Sequence, residues 1–288
     1  MTRCFAAALL AAALAGCSMV RVGYNQLDTL ALWTADEYFE LDARQKNQFR
    51  ARFAPLHDWH RHEQLPDYAQ LLAQVRSRFE KGLTREDAFW MIEAVKERYR
   101  RIVARGAPDA VALLMTLTPE QIDALKRQWE KDNRKFAREY VLDGKPEERR
   151  RARVKRTVEQ IERWTGNLTD EQERRVAVMI DGMPEVAQLR HEDRLRRQRE
   201  FLQLLELRRN REHFIAELRR WLADWEDGRT PEFAQRYARS VELRVDMVIA
   251  VDRMLTPEQR AHVTTRLQNY IDDFRALAEP RSARTAAH

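Results

Sequence analysis

Leu117-Thr118-Pro119-Glu120-Gln121-Ile122-Asp123-Ala124-Leu125-Lys126-Arg127-Gln128-Trp129 is the stretch whose reading decides the fold class. A threonine at a helix cap accepts a hydrogen bond from the third backbone amide, and a glutamine at that third position reaches back to the cap amide. Proline at the first helical position has its φ preset and no amide to leave unsatisfied. Thr118, Pro119 and Gln121 therefore announce a helix start. Leu117 can staple against Ile122. Downstream, Ile122, Leu125, Trp129, Phe136 and Tyr140 keep to one face at helical spacing, which predicts a helix from Thr118 to Leu142.

Working outward, the same spacing recurs. Phe214, Ile215, Leu218, Trp221, Leu222 and Trp225 form one stripe. Phe233, Tyr237, Val241, Val245 and Val248 form a second, and Val263, Leu267, Tyr270, Ile271, Phe274 and Leu277 a third. Further helices are expected over 24–40, 42–63, 66–81, 84–116 with a break near Gly106-Ala107-Pro108, 146–165, and 169–209 with a kink at Gly182-Met183-Pro184. Only 8 glycines and 9 prolines occur in 288 residues, and 34% of the chain is charged. Long amphipathic helices with solvated faces account for both. The fold class is all-α, an elongated bundle of nine or ten helices with no sheet. Asp143-Gly144-Lys145-Pro146 is the best internal boundary. It divides an N-terminal lobe over 24–142 from a C-terminal lobe over 146–278, or turns a corner within one continuous domain. The tail over 279–288 lacks apolar periodicity and reads as disordered.

The cap pattern repeats as Leu168-Thr169-Asp170-Glu171-Gln172 and Leu255-Thr256-Pro257-Glu258-Gln259, with echoes at Leu83-Thr84 and Leu41-Asp42. L-T-x-x-Q resembles the signature of the Spy/CpxP group of periplasmic helical chaperones, five residues at a time. That resemblance implies a tethered holdase for unfolded clients. Capping accounts for Thr118, Gln121, Thr169, Gln172, Thr256 and Gln259 without it, and is the preferred reading.

At the N-terminus, Arg3 precedes an apolar run from Phe5 to Leu14 that ends at Leu14-Ala15-Gly16-Cys17. A short basic start, an apolar run too short to span a bilayer and small residues before a cut are the parts of a signal peptide, here 1–16. Leu14-Ala15-Gly16-Cys17 resembles the lipobox of bacterial lipoproteins. The resemblance implies acylation of Cys17 and, because Ser18 and not aspartate comes next, an outer-membrane address facing the periplasm. Two or more acyl chains make a lasting anchor where one is marginal. Cys4 leaves with the signal, so the mature chain has no free thiol and no disulfide. Residues 17–23 read as a short tether that keeps the body near the membrane. The mean hydropathy of -0.69 leaves the remainder soluble.

Candidate chemistry is sparse. His57, His60 and His62 cluster near Asp58 and Glu63, but H-E-x-x-H fails at both His62-Glu63 and His191-Glu192, so no metal site is expected. No phosphate-cradling glycine loop or nucleophile elbow occurs. Neither a catalytic residue nor a cofactor is expected, and the chain reads as a non-enzyme. The formal net charge is +6. Its basic clusters, with Arg150, Arg153, Arg156, Arg194 and Arg197 as the candidate binding residues, read either as solvated faces laced with helix ion pairs or as a surface for anionic lipid headgroups, lipopolysaccharide phosphates or acidic clients. Solvated, ion-paired faces are the preferred reading. Nucleic acid is not an expected partner for an envelope protein. The seven tryptophans, among them Trp33 and Trp164, fall mostly on apolar stripes and read as core.

The lipobox, Tyr24-Asn25-Gln26-Leu27-Asp28, Tyr38-Phe39-Glu40-Leu41 and Trp59-His60-Arg61-His62-Glu63-Gln64-Leu65-Pro66 together resemble a family of uncharacterised proteobacterial lipoproteins. That resemblance implies a location and a helical fold but no activity. The expected function is an anchored, non-enzymatic scaffold or adaptor that binds another envelope component. A tethered holdase stands second and a motif-less envelope hydrolase third.

Overall fold

A computed structural model describes residues 19–279, and among them the regular structure is entirely helical, with no strand. Residues 19–25 are helical and turn at Gln26 into α1 (Leu27–Phe39) and α2 (Ala43–Trp59). A π-helical turn, His60–Gln64, joins α2 to α3 (Leu65–Glu80). There follow α4 (Arg85–Leu114), α5 (Pro119–Glu139), α6 (Pro146–Thr165), α7 (Asp170–Asp181) and α8 (Ala187–Glu206). A 3₁₀ turn over Leu207–Arg209 precedes α9 (Arg211–Ala223), α10 (Pro231–Met254) and α11 (Pro257–Ala278).

The described residues divide into two units, one running up to residue 80 and resuming at 264, and one of residues 81–263. In the first, α1 packs on α2, and the rings of Tyr68 and Phe274 meet edge to face at 6.2 Å. Leu65, Ala69, Ile271 and Leu277 are its most buried apolar side chains. In the second, α4 packs along α9 and α10, α6 along α7, α7 along α10, and α8 along α5 and α9. Val158, Leu168, Val176, Ile180, Met247 and Val251 form one apolar cluster there, and Ala88, Val245 and Ile249 another. Phe214 and Val111 are fully buried, and truncating such a phenylalanine to alanine costs about 3–5 kcal/mol.

Helix starts follow the cap chemistry read from the sequence. Thr118, Thr169 and Asp42 each complete a reciprocal capping box with Gln121, Gln172 and Gln45. At the other ends, glycine is scarce and arginines from neighbouring helices take the orphan carbonyls. Arg61 donates to Leu277 O at 3.1 Å, Arg156 to Glu139 O at 2.7 Å, and Arg197 to Trp221 O at 2.8 Å. Cations suit these ends for a second reason, since the helix dipole is negative there.

Among the described residues, eleven helices replace the expected nine or ten because the expected helix over 169–209 is two, separated at Gly182-Met183-Pro184. The same Gly-x-Pro arrangement at Gly106-Ala107-Pro108 does not break α4. Pro108 has no amide for the carbonyl of Ala104 four residues back, and Arg219 supplies one at 2.9 Å. Val103, Ala107, Val111 and Leu114 are all buried, so the apolar stripe stays in phase across the proline and holds the helix together. Beyond Pro184 the next buried residue, Val186, is out of phase with Val176 and Ile180. Pro66 does not start a separate helix after a gap either. The π turn before it closes with Leu65 N–H on His60 O, and the chain continues helically. Asp143–Pro146 lies within the second unit. The expected tether over 17–23 is already helical from residue 19. The signal over 1–16, Cys17 and the tail over 280–288 lie outside the described residues.

Candidate functional site

Two adjoining concavities in the second unit gather the basic clusters. The larger, about 480 Å³, is lined by six arginines and three glutamates from α5, α6, α8, α10 and the turn after α7. Its apolar wall includes Ile180, Val186 and Met247. Arg149 pairs with Glu185 at 2.7 Å. The other five, Arg153, Arg156, Arg163, Arg190 and Arg244, have no ion pair with a carboxylate of the described residues.

Several of these arginines are held in place by neutral groups. Arg153 from α6 donates to Ile180 O at 3.0 Å and Met183 O at 3.3 Å beyond the end of α7, and its Nε is buried with no hydrogen-bond partner. Pro184 has no amide to give Ile180 O, which accepts from Met183 N–H at 3.0 Å as well as from Arg153. Two guanidiniums lie over the Tyr140 ring, Arg156 at 4.5 Å and Arg190 at 5.3 Å from its centroid. Arg190 also donates to the Tyr140 hydroxyl at 3.4 Å. Arg244 is exposed by surface area yet closely surrounded, as a side chain in a concavity is. Burial first, and then the charges of Arg190 and Arg153, push its pKa below the ordinary guanidinium range.

The smaller concavity, about 390 Å³, shares Arg190 and adds Arg194, Arg197 and Arg229. These arginines have work within the fold. Arg194 donates to Asn133 Oδ1 at 2.7 Å and lies 3.8 Å from Asp132. The guanidinium of Arg197 stacks 4.0 Å from the Trp221 ring centroid, and burial lowers its pKa. Arg229 reaches Glu226 at 3.3 Å.

Of the five sequence candidates, Arg153 and Arg156 thus line the larger cleft and Arg194 and Arg197 the smaller. Arg150 lines neither and pairs in bidentate fashion with Asp181 at 2.7 and 2.8 Å. The ion-paired reading holds for Arg150, Arg151, Arg174, Arg175 and Arg196, which meet Asp181, Glu147, Glu171, Glu171 and Asp193 respectively. It fails for the five cleft arginines other than Arg149. Arg244 escaped the sequence reading although it left a signal: it falls on the same helical face as Val241, Val245 and Val248, a cation within an apolar stripe.

The cap glutamines do more than cap. Gln172 Nε2 donates to Gln259 Oε1 at 2.8 Å and to Met254 O at 2.8 Å, while Gln259 Nε2 donates to Gln172 Oε1 at 2.9 Å and to Asn167 O at 2.8 Å. Each Oε1 also accepts from its own cap amide, Thr169 N–H at 2.9 Å and Thr256 N–H at 3.0 Å. Met254 and Asn167 each stand two residues before a cap threonine, so the two motifs embrace with local two-fold symmetry. Each amide uses both of its donors and accepts two hydrogen bonds.

In the first unit the histidines serve two contacts. His57 and His60 pack on Tyr24, whose hydroxyl lies 2.8 Å from His60 Nδ1. Burial lowers the pKa of both imidazoles and raises that of Tyr24 to about 12. His62 instead meets Ala278 O at 3.0 Å beside Asp58 at 3.4 Å. Two tryptophans expected in the core, Trp33 and Trp164, are exposed.

A family model covers residues 37–234, well over half of the chain. The chain belongs to DUF6279, a family of unknown function. The DUF6279 match takes in Tyr38-Phe39-Glu40-Leu41, Trp59–Pro66, the arginines of the cleft other than Arg244, and the caps at Thr118 and Thr169. It begins after Cys17 and ends before Thr256. No curated protein and no solved structure matches the chain.

Proposed function

We propose that this member of DUF6279 is an outer-membrane-anchored periplasmic lipoprotein, a non-enzymatic helical adaptor that holds an anionic component of the cell envelope in its arginine-lined cleft. The observation that carries the reading is the set of five cleft arginines without a carboxylate ion pair, on a chain that elsewhere pairs its arginines densely. Uncompensated charge in a concavity recruits an opposite charge from outside. The membrane half of the proposal rests on Leu14-Ala15-Gly16-Cys17 and on the apolar side chains downstream of Cys17. Met19, Val22, Leu30 and Trp33 are 72, 55, 46 and 67% exposed. Gln26 N–H reaches Val22 O at 3.2 Å and Leu30 N–H reaches Gln26 O at 2.9 Å, so helical spacing persists through the turn. These side chains suit an interfacial seat beside acylated Cys17, and Trp33 suits it best. No described helix is long and apolar enough to cross a membrane. The holdase alternative draws nothing from Gln172 and Gln259, which are buried and saturated and so do not face a client.

The test is fractionation of cells that express Cys17→Ser, together with crosslinking from a photoreactive residue at position 160, where Gln160 lines the cleft. The substitution is expected to move the protein from the membrane fraction to soluble or unprocessed forms. The crosslinker is expected to capture a reproducible envelope component. Unchanged membrane fractionation refutes the anchor, and no reproducible adduct refutes the adaptor role.

A further inference from the structure

We infer that the larger cleft is a phosphoryl-binding site, built for compact dianionic phosphate groups carried by a lipid headgroup or a soluble phosphate ester, with Arg153, Arg156, Arg163, Arg190 and Arg244 as its ligands. The inference rests on the cleft of the proposed adaptor and names its ligand. Five guanidiniums from three helices, α6, α8 and α10, converge on about 480 Å³ without a carboxylate ion pair. A carboxylate brings one negative charge in that space, whereas a terminal phosphoryl group brings nearly two and three acceptor oxygens. Guanidinium forks match those oxygens in bidentate geometry.

Pre-organisation points the same way. Arg153 and Arg156 are fixed by backbone carbonyls, and Arg156 and Arg190 both rest on the Tyr140 ring. Little side-chain freedom then remains to be lost on binding. Arg244 has no such neutral partner and is left to meet the ligand. The carboxylates of the lining do not fill the place. Glu185 is committed to Arg149, Glu159 lies 3.9 Å from Lys155, and Glu139 meets Arg156 through its backbone oxygen. Ile180, Val186 and Met247 give the cleft an apolar wall for the carrier of the phosphate.

The experiment uses the full mature chain with Cys17→Ser, so its result does not depend on acylation. Inorganic pyrophosphate is titrated calorimetrically. Flotation is measured with phosphatidylcholine vesicles with and without phosphatidic acid. Saturable one-to-one pyrophosphate binding is expected, weakened at least about tenfold by Arg190→Gln with Arg244→Gln and unchanged by Arg150→Gln. Phenylglyoxal labelling read by mass spectrometry gives a second measurement that needs no variant: pyrophosphate is expected to shield Arg190 and Arg244 and to leave Arg151 reactive. Flotation on phosphatidic acid that pyrophosphate competes away assigns the site to a headgroup. Pyrophosphate binding without flotation assigns it to a soluble ester. The inference is overturned if neither probe binds, if binding or shielding ignores Arg190 and Arg244, or if a hexaglutamate peptide binds more tightly than pyrophosphate.

Discussion

Gln172 and Gln259 show how one side chain serves two levels of structure. Each closes its own helix start and each clasps the other, so removing one leaves the other's buried amide, one backbone carbonyl and one cap N–H short of partners. Gln172→Ala is expected to cost about 2–3 kcal/mol in urea denaturation, and Gln259→Ala a similar amount. The double variant is expected to lose less than their sum by about 1 kcal/mol or more, because the second removal breaks a clasp already gone. Strict additivity would show that the motifs only cap. The capping half was legible from Thr169-x-x-Gln172 alone. The clasp was not, since it pairs residues 87 apart in the chain and only the fold brings them together. The cleft divides likewise: Arg153 and Arg156 stood out by clustering, whereas Arg244 stood alone and became a site residue only when α10 met α6 and α8.

At the scale of the element, two Gly-x-Pro stretches gave opposite outcomes. In both, an arginine from another helix donates to the carbonyl four residues before the proline, Arg219 to Ala104 O and Arg153 to Ile180 O, and Ile180 O accepts from Met183 N–H as well. Whether the helix then continued depended on the phase of the buried residues beyond, which the sequence did contain at Val103, Ala107, Val111 and Leu114. Arg219→Ala is expected to lower stability by about 1 kcal/mol in urea denaturation. Pro108→Ala restores an amide to Ala104 O, so in that background the same arginine substitution is expected to cost close to nothing. An equal cost in both backgrounds would mean that Arg219 acts elsewhere. Most helix starts were readable from Thr118, Thr169 and their kin because a start is written in four adjacent residues. Helix ends were less so, because many of their caps arrive from a neighbour.

Across the whole molecule, charge is sorted by place. Exposed arginines are largely neutralised by carboxylates, often one turn away, while the cleft keeps its excess. Net charge alone could not distinguish these, and sequence clustering suggested both readings at once. Stability is expected to depend on pH through His57 and His60. Burial lowers their pKa values below the ordinary 6.5, with His57 itself opposing a charge on His60. Below about pH 6.5 the unfolded chain therefore takes up protons that the folded chain refuses, and stability falls as the solution is acidified. The urea midpoint is expected to drop between about pH 7.5 and about pH 5.5, and His57→Gln with His60→Gln to flatten that drop. An undiminished fall in the double variant would assign it to other groups.

The arginines that close helix ends carry a consequence for how the second unit opens and forms. A glycine cap is complete as soon as its own helix is, but Glu139 O at the end of α5 takes its donor from Arg156 of α6, and Arg153 of α6 adds donors to Ile180 O and Met183 O at the end of α7. Local openings there cannot release one helix end and spare its neighbour. Fluctuation, proteolytic nicking and refolding in this region should proceed by helix pairs, so that α6 governs the lifetime of both ends it seals.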